Sequence, residues 1–240
     1  MKVAVRHVVG APAVSEVEEL PMPALRRAKR IGTGLCFIVF PLVFVFAFSV
    51  HPGLSNPHLL GPEELIVRAH HASLLQFAHV LVLLSTALLV VIARHFMTLL
   101  DRTSAAWAGL IGASVATLGA IILAADKGAL CLTMTALDTV PASDYAPMMP
   151  GLIAMFSLEG WMALLWGILL LPIGFAILAV ALLKTRALPR WKSALFLVGV
   201  SFVGFPDGAE IVNLTASILM TVALVPYGVR MLAKHEDSPT

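Results

Sequence analysis

The sequence predicts an all-α, polytopic transmembrane helix bundle with six spans and with both termini in the cytoplasm. Three observations predict it: the composition, the apolar segments of span length, and a one-sided distribution of basic residues. Hydrophobic residues make up 59% of the 240 residues and charged residues 12%, whereas soluble domains have roughly 45–50% and about 25%. A soluble core of this size does not bury that excess, so the composition indicates a lipid environment.

Six segments reach or approach the roughly 20 apolar residues that a membrane span needs. They are residues 31–50, 70–93, 105–126, 160–183, 190–206 and 208–231. The fifth is the shortest, and it reaches span length only if Trp191 and Lys192 lie at the interface with the lysine extended to water. This divides the chain into a cytoplasmic arm (1–30), a six-helix transmembrane domain (31–232) and a cytoplasmic tail (233–240).

The basic residues orient these spans. With the N-terminus inside, all of the 16 lysines and arginines except Arg68 and Lys127 fall on the cytoplasmic side, as the positive-inside rule requires. The apolar run after Arg30 has no small-residue cleavage site, so residues 31–50 are interpreted as an uncleaved first span. We therefore expect a multi-pass protein of the cell membrane, typical of a bacterial inner membrane.

Spans 2, 3 and 4 are expected to extend beyond the outer membrane face. Pro62 is a favourable first helical residue and no helix breaker follows it before Arg94, which predicts one continuous helix. The patterns over 104–138 and 150–183 predict helices of about 50 Å, longer than the apolar core of about 30 Å. These two helices are predicted to form an antiparallel pair, joined by residues 138–147. Small residues from Gly109 to Ala120 predict that span 3 packs closely on a neighbour.

Residues 128–158 of this outer extension are too apolar to be exposed to water, so another surface is expected to pack on them. Span 2, the lipid headgroup layer, a bound lipid or a partner subunit would each supply one. The lipid bilayer is thus the first expected partner, and this segment is where a further one is expected. A net charge of +2, with no basic run interleaved with aromatic residues, excludes nucleic acid from the expected partners.

The outer ends of the spans carry the candidate site. At about 100° per residue, His71 and His79 share one face of span 2, while His70 points the other way. Lys127 is expected to pair with Asp126 or with Glu159. Counting residues from the span ends places eight polar residues of four helices at about the same depth in the membrane. They predict a polar pocket beneath the apolar outer helix extensions, formed by His71, His79, Asp126, Lys127, Glu159, Asp207, Glu210 and Asn213.

Two acids near the start of span 6 allow two interpretations. Asp207 and Glu210 have the spacing of a helix N-cap and its capping-box carboxylate. Alternatively, together with Asn213 they begin a polar stripe, which on a membrane helix faces protein or water rather than lipid.

The candidate site supports three functions. The first is the binding of a small ligand, a lipid or a partner subunit. The second is a metal-dependent membrane enzyme, with His79, Glu159 and Glu210 as ligands of a transition metal at the outer face; no HxxxH, HExxH or CxxC spacing supports it. The third is a proton-coupled transporter, which the lack of an internal repeat disfavours.

Overall fold

The computed structural model describes residues 23–51, 54, 61–156, 167–203 and 209–233. Within these ranges all regular secondary structure is α-helical. The helices are α1 (Pro23–Ser49), α2 (Pro62–Ala69), α3 (Ser73–Leu100), α4 (Ala106–Leu137), α5 (Ala142–Phe156), α6 (Leu170–Thr185), α7 (Arg190–Phe202) and α8 (Glu210–Ala233).

Four of these helices are long and apolar enough to cross a membrane. They are α1, α3, α4 and α8, whose most apolar segments have mean hydropathies between 1.6 and 2.5. The helix α6 is a shorter apolar helix of 16 residues, and α7 has 13 residues. Residues 157–166 before α6 and 204–208 after α7 lie outside the described residues. A membrane protein with at least four candidate spans is therefore supported, and the six spans stay a prediction.

Six helices pack as a closed ring. Its order is α1, α3, α4, α6, α7 and α8, with α8 returning to α1, and α3 also contacts α6 across the ring. Phenylalanines join the helices in the centre: ring centroids lie 5.3 Å apart between Phe37 and Phe96, 5.5 Å between Phe96 and Phe196, and 5.8 Å between Phe196 and Phe175. These tilted and edge-to-face contacts are favourable for aromatic pairs, so the middle of the ring is a packed core.

Glycines set the closest helix contacts. A Cβ atom added to Gly119 of α4 would lie 2.2 Å from the backbone nitrogen of Leu171, and one added to Gly174 of α6 would lie 2.2 Å from that of Ala116. On the other side of the ring, a Cβ at Gly228 of α8 would lie 2.6 Å from the Gly34 carbonyl oxygen. The predicted close packing of the third span is confirmed, and its partner is α6.

The bundle has two chemically different ends. The basic end contains the C-termini of α3, α6 and α8 with the N-termini of α1, α4 and α7, and its charges include Arg94, Arg102, Lys184, Arg190 and Arg230. The opposite end, here called the histidine-rich end, is defined by His51, His70, His71 and His79. Lys192 at the basic end is only 3% exposed, beside a Trp191 that is 54% exposed. The predicted extension of this lysine to water is therefore not found, and its Nζ lies 5.4 Å from the centroid of the Trp191 ring.

The helix predicted to run without a break from Pro62 is also interrupted. The helix α2 ends at Ala69 and α3 begins at Ser73, and His71 between them has a left-handed φ of 56°. The physical reason is a distant contact: the His71 backbone N–H donates to Asp138 Oδ1 at 2.9 Å, just after α4. This bond replaces one that a continuous helix would make.

The outer part of the chain departs from prediction as well. The helix α4 has nearly the predicted bounds, but α5 begins at Ala142, inside the expected link, contains two prolines and packs on α2. The described part of the predicted antiparallel pair is α4 with α6, which pack with opposite chain directions. The second helix of the pair was predicted to begin at Pro150, but helix already begins at Ala142, and residues 157–166 lie outside the described residues. A separate apolar cluster forms here, called the apolar cap, which consists of Ile66, Met134, Leu137 and Leu152.

The arm and the tail are mostly beyond the described residues. Residues 23–30, which the sequence assigns to the arm, form the first turns of α1. Residues 1–22 and 234–240 lie outside, and so do two residues of the predicted pocket, Glu159 and Asp207.

Candidate functional site

A buried histidine–glutamate contact lies at the centre of the histidine-rich end. Glu210 is the first residue of α8 and is 2% exposed. His51, just beyond α1, places its Nδ1 3.2 Å from Glu210 Oε1. Asn213, one turn further along α8, is 1% exposed. A carboxylate at a helix N-terminus is favoured by the helix dipole, and the neighbouring imidazole further compensates its burial.

His79 lies near this contact on α3. Its Nδ1 is 2.8 Å from the Leu75 carbonyl oxygen. Because a carbonyl only accepts hydrogen bonds, Nδ1 carries the proton, and in the neutral ring Nε2 keeps its lone pair. The ring centroids of His51 and His79 lie 6.4 Å apart. Three ionisable side chains, from the end of α1, from α3 and from α8, are therefore close together.

An ion pair on α4 completes the group. Lys127 Nζ lies 3.1 Å from Asp126 Oδ2, and both side chains are about one quarter exposed. Both residues interact electrostatically with the His79 ring. The predicted pairing of Lys127 with Asp126 is confirmed, while the alternative partner Glu159 lies outside the described residues.

A small cavity opens beside His79. It has a volume of about 30 Å³, and its lining includes His79, Gln76, Cys131 and Met134. A single water needs roughly 10–15 Å³ and about two to four polar partners. His79 and Gln76 are the strongly polar side chains of an otherwise mainly apolar lining, so the cavity is a mainly apolar recess beside His79. The cavity thus separates the buried group from a second polar cluster around Asp138.

The second cluster surrounds the carboxylate of Asp138. Oδ1 accepts the His71 backbone N–H, and Oδ2 accepts a hydrogen bond from Gln76 Nε2. Oδ1 also lies 3.9 Å from His70 Nε2 and 3.6 Å from His71 Nδ1. Burial by itself raises the pKa of Asp138, but these hydrogen bonds and the two nearby imidazoles outweigh it and hold the pKa below its usual value. The group is therefore a carboxylate at neutral pH.

The described members of the predicted pocket are found in two places. Glu210 and Asn213 lie buried at the centre of the histidine-rich end, with the part-buried His79 beside them and the partly exposed Asp126 and Lys127 on α4. His71 lies instead at the turn between α2 and α3, with its side chain 65% exposed, and contacts Asp138.

Several polar residues were missed in the sequence. His51 had no assigned role, and His70 was separated from His71 because a continuous helix was assumed. Asp138 entered the sequence analysis only as the end of a predicted helix. The contact between His95 Nε2 and the Tyr227 hydroxyl, 2.8 Å long and nearer the basic end, was also missed. In the sequence, only the adjacency of His70 and His71 indicated the cluster around Asp138.

Comparison with protein-family models, with curated proteins and with solved structures found no match to this chain. The class of the protein therefore follows from its own fold and site. Long apolar helices, a closed helical ring and ionisable groups buried at one end are consistent with an integral membrane helical protein.

Proposed function

We propose that the protein is a multi-pass membrane protein of the cell membrane in which all six ring helices cross the bilayer. Its basic end faces the cytoplasm, and its histidine-rich end faces outward and binds the polar head of a small amphiphilic ligand. The segregation of arginine and lysine supports the orientation. The 32-residue length of α4, about 48 Å at about 1.5 Å per residue, supports an extension of the histidine-rich end beyond the apolar core.

The burial of Glu210 carries the proposal. A carboxylate that is 2% exposed at a membrane-helix terminus, beside His51 and close to His79, is expensive to maintain. Residues of this kind within membrane segments commonly mark a binding site or an ion pathway. Here the combined set offers hydrogen-bond acceptors, a carboxamide and, at Lys127, a cation. A polar head with both donor and acceptor groups fits such a set.

The surroundings favour an amphiphile over a fully polar ligand. Met134 of the apolar cap lines the cavity beside His79. Large apolar side chains on the adjoining turns of α3 and α4 are exposed: Leu74 and Phe77 at 54% each and Leu132 at 76%. An apolar tail of lipid or quinone type would lie along them. The same surface accounts for the lipid or partner expected at residues 128–158.

The test is co-purification. The full chain is purified in detergent as wild type, His79→Ala and His95→Ala, and bound small molecules are extracted and quantified by mass spectrometry. We expect about one amphiphile per chain in the wild type and in His95→Ala, a histidine variant on the same helix near the basic end. His79→Ala should retain at least about tenfold less, because it removes a hydrogen-bonding group of the site.

Equal loading of both variants, or a wild type that carries no amphiphile, would contradict this function. A proton-coupled transporter is the second candidate, because the His51–Glu210 contact is an acid–base pair able to hold a proton. The phenylalanine-packed ring centre argues against a water path behind it. Proton flux into liposomes that is abolished in Glu210→Gln would favour the transporter.

A further inference from the structure

We propose that His70, His71 and Asp138 bind a divalent transition metal ion of the zinc class at the histidine-rich end. The candidate ligand atoms of the three side chains all lie within 4.8 Å of one another. Ligands at about 2.1 Å from zinc in a tetrahedral site are about 3.4 Å apart. The Asp138 Oδ1 distances of 3.6 Å to His71 Nδ1 and 3.9 Å to His70 Nε2 need only small side-chain movements to reach this value.

The backbone brings the two imidazoles together. Adjacent residues of a continuous helix point about 100° apart, but α2 ends immediately before His70, and His71 has a φ of 56°. Positive φ is uncommon for residues other than glycine. Here it brings the two tilted rings together, with centroids 3.9 Å apart and an interplanar angle of 45°, so that both lie beside one carboxylate.

A supporting hydrogen bond orients the carboxylate. Gln76 Nε2 donates to Oδ2, while Oδ1, which also accepts the His71 backbone N–H, lies nearest the two imidazoles. Carboxylates that ligate metals are usually held by such outer hydrogen bonds. Two imidazoles and one carboxylate are a ligand set that suits zinc and neighbouring divalent transition metals.

The site is open to solvent. The His71 side chain is 65% exposed, and those of His70 and Asp138 are 20% and 22% exposed. Three protein ligands leave at least one coordination position for water or another small ligand. The three residues of this site are different from His79, Glu159 and Glu210, the metal ligands that the sequence predicts. Among the described residues, His79 and Glu210 belong to no group of this kind.

The inference does not rest on the proposed amphiphile site, because the two sites share no residue. The full chain is purified through a tag that contains no histidine and is stripped with a chelator. Zn²⁺ alone is titrated by calorimetry, and Co²⁺ alone is followed by its visible absorption. We expect one metal ion per chain, and at least about tenfold weaker binding in His70→Ala, His71→Ala and Asp138→Asn. Asp144→Asn, an exposed acid on α5 that contacts Ser143, should bind as the wild type does.

A wild type that binds neither ion would overturn the proposal, as would variants whose affinity is unchanged. If the variants do not fold, measurements on the wild type alone test the site. Zn²⁺ should protect His70 and His71 from acylation by diethyl pyrocarbonate, read by peptide mass spectrometry, and an absence of protection would overturn the site. Loss of Zn²⁺ binding with normal amphiphile loading separates this inference from the proposed function.

Discussion

Gly174→Leu is expected to be among the most destabilising single substitutions in the ring. A Cβ at this position would lie 2.2 Å from the Ala116 backbone nitrogen and 2.7 Å from the Gly112 carbonyl oxygen, so the new side chain meets backbone that does not move aside. Relief requires α4 and α6 to separate, so we expect a cost at the upper end of the range for overpacking, about 3 kcal/mol. The free energy of unfolding is measured in mixed micelles with increasing denaturing detergent.

Gly128→Leu is the matched control for this prediction. Gly128 lies on α4, and a Cβ added there meets no atom within 4 Å. We expect the control to unfold within about 1 kcal/mol of the wild type, since leucine is a better helix former than glycine. Equal stability of the two leucine variants would show that α4 and α6 are not in contact along this line.

The second large effect is expected for Glu210→Ala. The substitution removes the carboxylate next to His51. The remaining polar side chains then lose this partner in a low-dielectric site. Removing one partner of a buried pair costs about 3–5 kcal/mol. Glu210→Gln keeps an acceptor next to His51 and should cost about 1 kcal/mol. Both values are obtained from the same detergent-unfolding measurement.

The double variant His51→Ala/Glu210→Ala makes this prediction specific. If the 3.2 Å contact between the two side chains contributes to stability, the double variant loses less than the sum of the single variants. Glu63→Ala, an exposed acid of α2, is the control and should change stability by less than about 0.5 kcal/mol. Strict additivity of His51→Ala and Glu210→Ala would contradict the contact.

Prediction from the sequence succeeds best where a single pattern of residue types determines a helix and its packing. The bounds of α4 follow from an unbroken apolar pattern, and its close packing follows from glycines and alanines at helical spacing. The break after Ala69 was not predictable, because its cause is Asp138, more than sixty residues further along the chain. The early start of α5 was missed because Pro147 and Pro150 suggest a turn, whereas both lie inside the helix.

The candidate site shows the same limit. Residue counting placed His79, Asp126, Lys127 and Glu210 at one end of the bundle. It did not pair Glu210 with His51, because that contact depends on α8 returning to α1, and helical periodicity holds no information about the order of helices in a ring. The two histidines of the Asp138 cluster were separated for a related reason, since a left-handed residue changes the direction of every side chain after it.

Labelling of single cysteines tests the central claim most directly, that the histidine-rich and basic ends lie on opposite sides of a membrane with the histidine-rich end outward. In a Cys36→Ser/Cys131→Ser background, Thr139→Cys marks the histidine-rich end and Ser104→Cys the basic end, both at exposed positions. Intact spheroplasts are treated with a membrane-impermeant maleimide. We expect labelling of Thr139→Cys at once and of Ser104→Cys only after lysis; labelling of both before lysis, or the reverse order, would contradict this orientation.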